Sequence, residues 1–98
     1  LKLNQMRTRL MNDEEKAFYR AIGKRIKYQR QLYNLNRSRR DKITQERLAE
    51  LANVSTSTIG NLESEKIVQG VSPYTLWKIS KVLDISIEQL FEDDKKQE

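Results

Sequence analysis

The stretch that most constrains this chain is "TQERLAELANVSTSTIGNLE", residues 44–63, where two short helical patterns meet across almost no spacer. Thr44 is placed to cap the first, and Leu48, Ala49 and Ala52 fall on one side of a helix of about two turns. Asn53 stops it, because asparagine is the next best residue after glycine for the left-handed conformation at a helix end. Val54 beyond it is a natural inward plug, and Ser55 caps the second helix. Ile59 and Leu62, three apart, face inward there, so Thr56, Ser57, Gly60 and Asn61 lie on the outer side. Four consecutive hydroxyl residues, Ser55 to Thr58, and a glycine are poor helix formers. One reading is a capped, solvated turn; the other is a surface built for close approach.

The flanking sequence is also helical. In "NDEEKAFYRAIGKRIKYQRQLY" the apolar spacing runs through Phe18, Ile22, Ile26 and Tyr33, with Gln29 in the intermediate place. Asn12 or Asp13 caps this helix, and Glu14 and Glu15 sit where the helix dipole favours acids, which makes them structural rather than catalytic. "NLNRSRRDK" is polar, basic and stripeless, either a frayed extension of that helix or an exposed loop. "SPYTLWKISKVLD" begins with Ser72 as cap and Pro73 at the first helical position, and buries Leu76, Ile79 and Leu83. "SIEQLF" has the capping-box form through Ser86 and Gln89, followed by Leu90 and Phe91. No alternating run predicts strands, so the expected fold is all-α with five helices. The expected organisation is one domain: a basic, flexible arm over 1–12, a helical domain over 13–91 with the two-helix motif at 44–63 and a basic insertion at 34–42, and a charged tail over 92–98.

Composition then narrows the chemistry. There is no cysteine and no histidine among 98 residues, which excludes disulfide frameworks, Cys/His zinc sites, thiol nucleophiles and imidazole bases. Neither an enzyme nor a cofactor is expected. No apolar run approaches the length of a membrane span or secretory signal, so a cytoplasmic location is the expectation. The chain begins with Leu1, read as processed, truncated or unusually initiated, with Met11 as a candidate internal start. The net charge of +5 conceals an asymmetry: residues 1–43 carry 13 Lys/Arg against 4 Asp/Glu, and residues 44–98 carry 6 against 10. The basic half is a candidate polyanion surface, with a solvated helix face as the alternative.

A short helix, an Asn-centred turn and a second short helix form the helix-turn-helix arrangement. With "IGKRI" and Arg30 before it and "SPYTLWKISKVLDISIEQLF" after it, the sequence resembles the Cro/CI-type (lambda-repressor-like, XRE) family over roughly residues 20–91. The resemblance implies a five-helix DNA-binding domain that regulates transcription, most simply as a repressor, binding a palindromic operator as a homodimer. Thr56, Ser57 and Asn61 fall on its base-reading positions, with Gly60 beside them. Gln45 looks like its phosphate-contacting glutamine and Ser64 like a backbone-contact position. Arg30 and Glu63 match a structural ion pair. Thr44, Ser55 and Thr58 join the expected DNA-backbone contacts. Arg37, Arg39 and Arg40, with Lys42, occupy an insertion where the family has a very short turn, and would add sequence-independent phosphate contacts. Glu65 and Asp84 replace two common glycines, and "KIVQGVS" lengthens the loop after the motif.

Small hydroxyl residues on a helix docked in the major groove let the backbone approach closely, and Asn61 has the amide geometry for a bidentate pair with adenine. Since no Arg or Lys occupies that face, an A/T-rich core with a contribution from DNA shape is expected. Trp77, Ile87, Leu90 and Phe91 are the expected dimer contacts, and the arm with Arg7 and Arg9 is expected to be disordered, with insertion into a groove, as by arms of other DNA-binding folds, as the alternative. A toxin-binding autoregulator and an interaction module that does not read DNA are the alternative functions.

Overall fold

The computed structural model describes residues 10–92. Five α-helices follow one another: α1 (Asp13–Asn34), α2 (Gln45–Ala52), α3 (Thr56–Glu63), α4 (Pro73–Val82) and α5 (Glu88–Phe91), with a 3₁₀ turn (Arg39–Asp41) between α1 and α2. Among the described residues there is no strand. Each helix start has a local cause. Asn12, rather than Asp13, caps α1 in a full capping box with Glu15 (Glu15 N–H to Asn12 Oδ1, 2.8 Å; Asn12 N–H to Glu15 Oε1, 3.0 Å). Thr44, Ser55 and Ser72 each accept a backbone N–H from the third residue of their helices, and Pro73 opens α4.

All five helices contribute to one core. Ile22 and Ile26 of α1, Leu48 of α2, Ile59 of α3, Ile79 of α4 and Leu90 of α5 are fully enclosed. α5 is a single turn, too short to persist in water without packing, and Leu90 is its one buried residue. That corrects one expectation: Leu90 is core, not dimer surface, and Ile87 is partly buried against the same core. The capping box at Ser86 is half formed, since Ser86 N–H donates to Gln89 Oε1 (3.0 Å) while Gln89 N–H bonds the Ser86 carbonyl; Ile87 already has helical angles and stands as the cap.

On α1 the stripe runs through Ile22, Ile26 and Gln29, while Phe18 stays 45% exposed. Phe18 lies one turn beyond the core and packs instead on Phe91, ring centroids 6.2 Å apart and stacked, with Tyr19 at its edge. Gly23 is enclosed where α1 crosses α3: a Cβ there would lie 1.7 Å from the Leu62 carbonyl oxygen. The basic insertion is an exposed loop, not an extension of α1. Asn36 turns the chain at φ 68°, and Asn34 closes the loop by gripping the Ile43 backbone with both ends of its amide (Nδ2 to Ile43 O, 2.9 Å; Ile43 N–H to Oδ1, 2.7 Å). Asp84 takes φ 58° at the end of α4, the conformation that makes glycine common at such a position.

Candidate nucleic-acid interface

The turn between α2 and α3 fixes their relative position. Asn53 adopts φ 61°, ψ 44°, as its sequence predicts. The next N–H, of Val54, returns to the Ala49 carbonyl (2.9 Å), and Val54 packs against the core. The two caps then set both helix N-termini: Thr44 Oγ1 accepts from Arg47 N–H (3.0 Å) and Ser55 Oγ from Thr58 N–H (3.1 Å).

With Ile59, Leu62 and Glu63 turned inward, the outer face of α3 presents Thr56 and Ser57 exposed, and Thr58, Gly60 and Asn61 half-buried. The hydroxyls are linked, Ser55 Oγ lying 3.0 Å from Ser57 Oγ and 2.9 Å from Thr58 Oγ1. Thr56 is not part of that web. A Cβ on Gly60 would meet only Gln45 Oε1, at an ordinary 3.8 Å; the close helix crossing belongs to Gly23.

Beneath this face lies an ion pair joining three helices and the strand of chain before α2. Arg30 donates to both oxygens of Glu63 (Nε to Oε2, 2.8 Å; Nη2 to Oε1, 2.9 Å) and its remaining Nη1 reaches the Ile43 carbonyl (3.1 Å). The Glu63 side chain is 1% exposed and that of Arg30 14%. Hydrogen bonds to Glu63 raise the Arg30 pKa, outweighing the opposite effect of burial. Loss of one partner from a buried pair of this kind costs about 3–5 kcal/mol. Gln45, from the first position of α2, donates Nε2–H to the same carboxylate (2.9 Å), which holds its amide and leaves a second N–H for another acceptor.

The remaining sequence-predicted residues divide. Ser64 ends α3 and its Oγ accepts from Lys66 N–H (3.1 Å). Arg39 and Arg40 project from the exposed 3₁₀ turn that leads into Thr44. Arg37 is folded back: its guanidinium lies 3.8 Å from the centroid of the Tyr33 ring and its Nε donates to the Tyr33 carbonyl. Arg7 and Arg9 lie outside the described residues. Three residues escaped the sequence reading. Asn34 had no signal beyond standing at the edge of the insertion; Gly23 stood in the quoted "IGKRI"; Gln69 was hidden in the lengthened loop, yet its Oε1 accepts from Asn61 Nδ2 (3.2 Å).

Taken together, a compact α2–turn–α3 unit with a polar outer face defines a small all-helical domain of the kind that places a helix against DNA. The family model described as helix-turn-helix matches residues 26–90, and the chain belongs to that family, in its Cro/CI-type branch. Neither a curated protein nor a solved structure gives a match. Family membership supports a DNA-binding, transcription-regulating kind of function. Among the described residues no helix is long and apolar enough to cross a membrane.

Proposed function

We propose that the protein binds double-stranded DNA sequence-specifically and regulates transcription, most simply by occluding the polymerase at a palindromic operator. The observation that carries this reading is the outer face of α3, where Thr56, Ser57 and Asn61 stand free of the core while Ile59, Leu62 and Glu63 anchor the helix from behind. Thr56, Ser57 and Asn61 read base edges; Thr44, Gln45, Ser55, Thr58 and Ser64 meet the sugar-phosphate backbone around them. Arg39 and Arg40 extend the backbone contacts from the insertion. Arg37 joins them only on leaving Tyr33.

A homodimer places two α3 helices about 34 Å apart, one turn of B-DNA. Of the expected contacts, Trp77 is the best exposed, at 46%. It lies beside Tyr74 on α4, ring centroids 5.9 Å apart, and the dimer surface is assigned to that pair; Phe91 stacks on Phe18 instead. A monomer in equilibrium sedimentation, with and without operator DNA, would remove this assignment.

The test of the reading itself is competition between a selected duplex and a scrambled one at fixed salt. Wild type is expected to prefer its site by about a thousandfold or more, and the Thr56→Ala/Ser57→Ala/Asn61→Ala variant to lose most of that ratio. A wild-type ratio near one would support a module that binds polyanions without reading them.

A further inference from the structure

A carboxamide that reads a base must be held the right way round, because its oxygen and nitrogen ends have nearly the same shape and opposite hydrogen-bonding character. The loop after α3 supplies such a constraint for Asn61. The Gly70 carbonyl can only accept, so Gln69 must turn its Nε2 to it, at 2.9 Å. That leaves Gln69 Oε1, again an acceptor, facing Asn61, which must answer with Nδ2, at 3.2 Å. The polarity of a single backbone carbonyl is thereby relayed through two amides to the base-reading face. What remains on Asn61 is its Oδ1 acceptor and one further N–H, the complement of the adenine N6–H donor and N7 acceptor in the major groove. The residue before the α1 cap also approaches this loop: an ideal Cβ on Gly70 would lie 3.1 Å from Met11 Cε.

We propose that Gln69 is a positioning residue that fixes the amide orientation of Asn61 and so sets its preference for adenine; this rests on Asn61 being a base contact. The loop "KIVQGVS" thus takes part in specificity from outside the helix-turn-helix. Gln69 needs no contact with DNA to do so.

The test is a double-variant cycle with Asn61→Ala, Gln69→Met and their combination, on duplexes that differ from the selected site at one base pair. Thermal unfolding of each variant serves as the folding control, and Gln69→Ala repeats the measurement should methionine disturb the loop. Asn61→Ala is expected to lose about tenfold of the discrimination at one A·T pair. Gln69→Met should lose at least about threefold at that same pair, by the same principle that a mispaired amide forfeits part of a bidentate contact. It should add nothing in the Asn61→Ala background. A Gln69→Met effect that is absent, is uniform over all pairs, or adds in full to that of Asn61→Ala would overturn the proposal. Failure of the reading beneath it has a separate signature: Asn61→Ala alone would leave every base preference intact, with Gln69 untouched.

Discussion

At position 23 a Cβ would lie 1.7 Å from the Leu62 carbonyl oxygen, closer than any non-bonded pair tolerates, and the obstacle is backbone rather than the tip of a side chain. α1 and α3 would have to separate. Gly23→Ala is therefore expected to lower stability by at least about 2 kcal/mol, read as a fall in the denaturant midpoint; an unchanged midpoint would show that the helices shift freely here. Gly60 offers the contrast, since its added Cβ meets only the Gln45 amide at van der Waals distance. The two glycines could not be told apart from sequence, because what distinguishes them is the distance to a helix remote in the chain. The Arg30–Glu63 pair, by contrast, was legible, but only through the family resemblance; spacing alone gives no reason to join residues 33 apart.

The helices themselves follow from caps and periodicity, and local signals of that kind are what a sequence carries best. Asn12, Thr44, Ser55, Ser72 and Asn53 all act where residue chemistry places them. The readings failed where tertiary packing decides. Phe18 keeps the α1 period yet lies past the end of the core, and Leu90, read as surface, is buried because the single turn of α5 has no other means of attachment. The insertion has two readings in sequence, an extension of α1 or an exposed loop, and the loop form depends on Asn34 and Arg30 both holding Ile43, a closure that composition does not reveal. Asp84 is a local matter again. It holds φ 58°, so Asp84→Gly is expected to stabilise the α4–α5 connection by up to about 1 kcal/mol, measured as a raised unfolding temperature; a lowered one would mean that the aspartate side chain compensates for its backbone.

For the whole molecule, the charge asymmetry of the sequence separates a polar helix from a basic turn. α3 carries no basic residue on its outer face, while Arg39 and Arg40 stand on the turn that leads into α2. Under the proposed function, base reading and charge neutralisation fall to different segments. Arg39→Ala/Arg40→Ala is expected to weaken binding to specific and nonspecific duplexes alike and to flatten the dependence of log affinity on log salt by about 1–2 per protomer. A salt slope equal to that of wild type would place the insertion away from the duplex. The central claim is that the outer face of α3 reads sequence, and its most direct measurement is unbiased selection of bound duplexes from a random library at one fixed, near-physiological salt concentration, with wild type and Asn61→Ala in parallel. The account predicts a palindromic consensus with an A/T-rich core that relaxes at one base pair of each half-site in the variant; no enrichment, or a consensus built on guanine contacts and indifferent to Asn61→Ala, would contradict it.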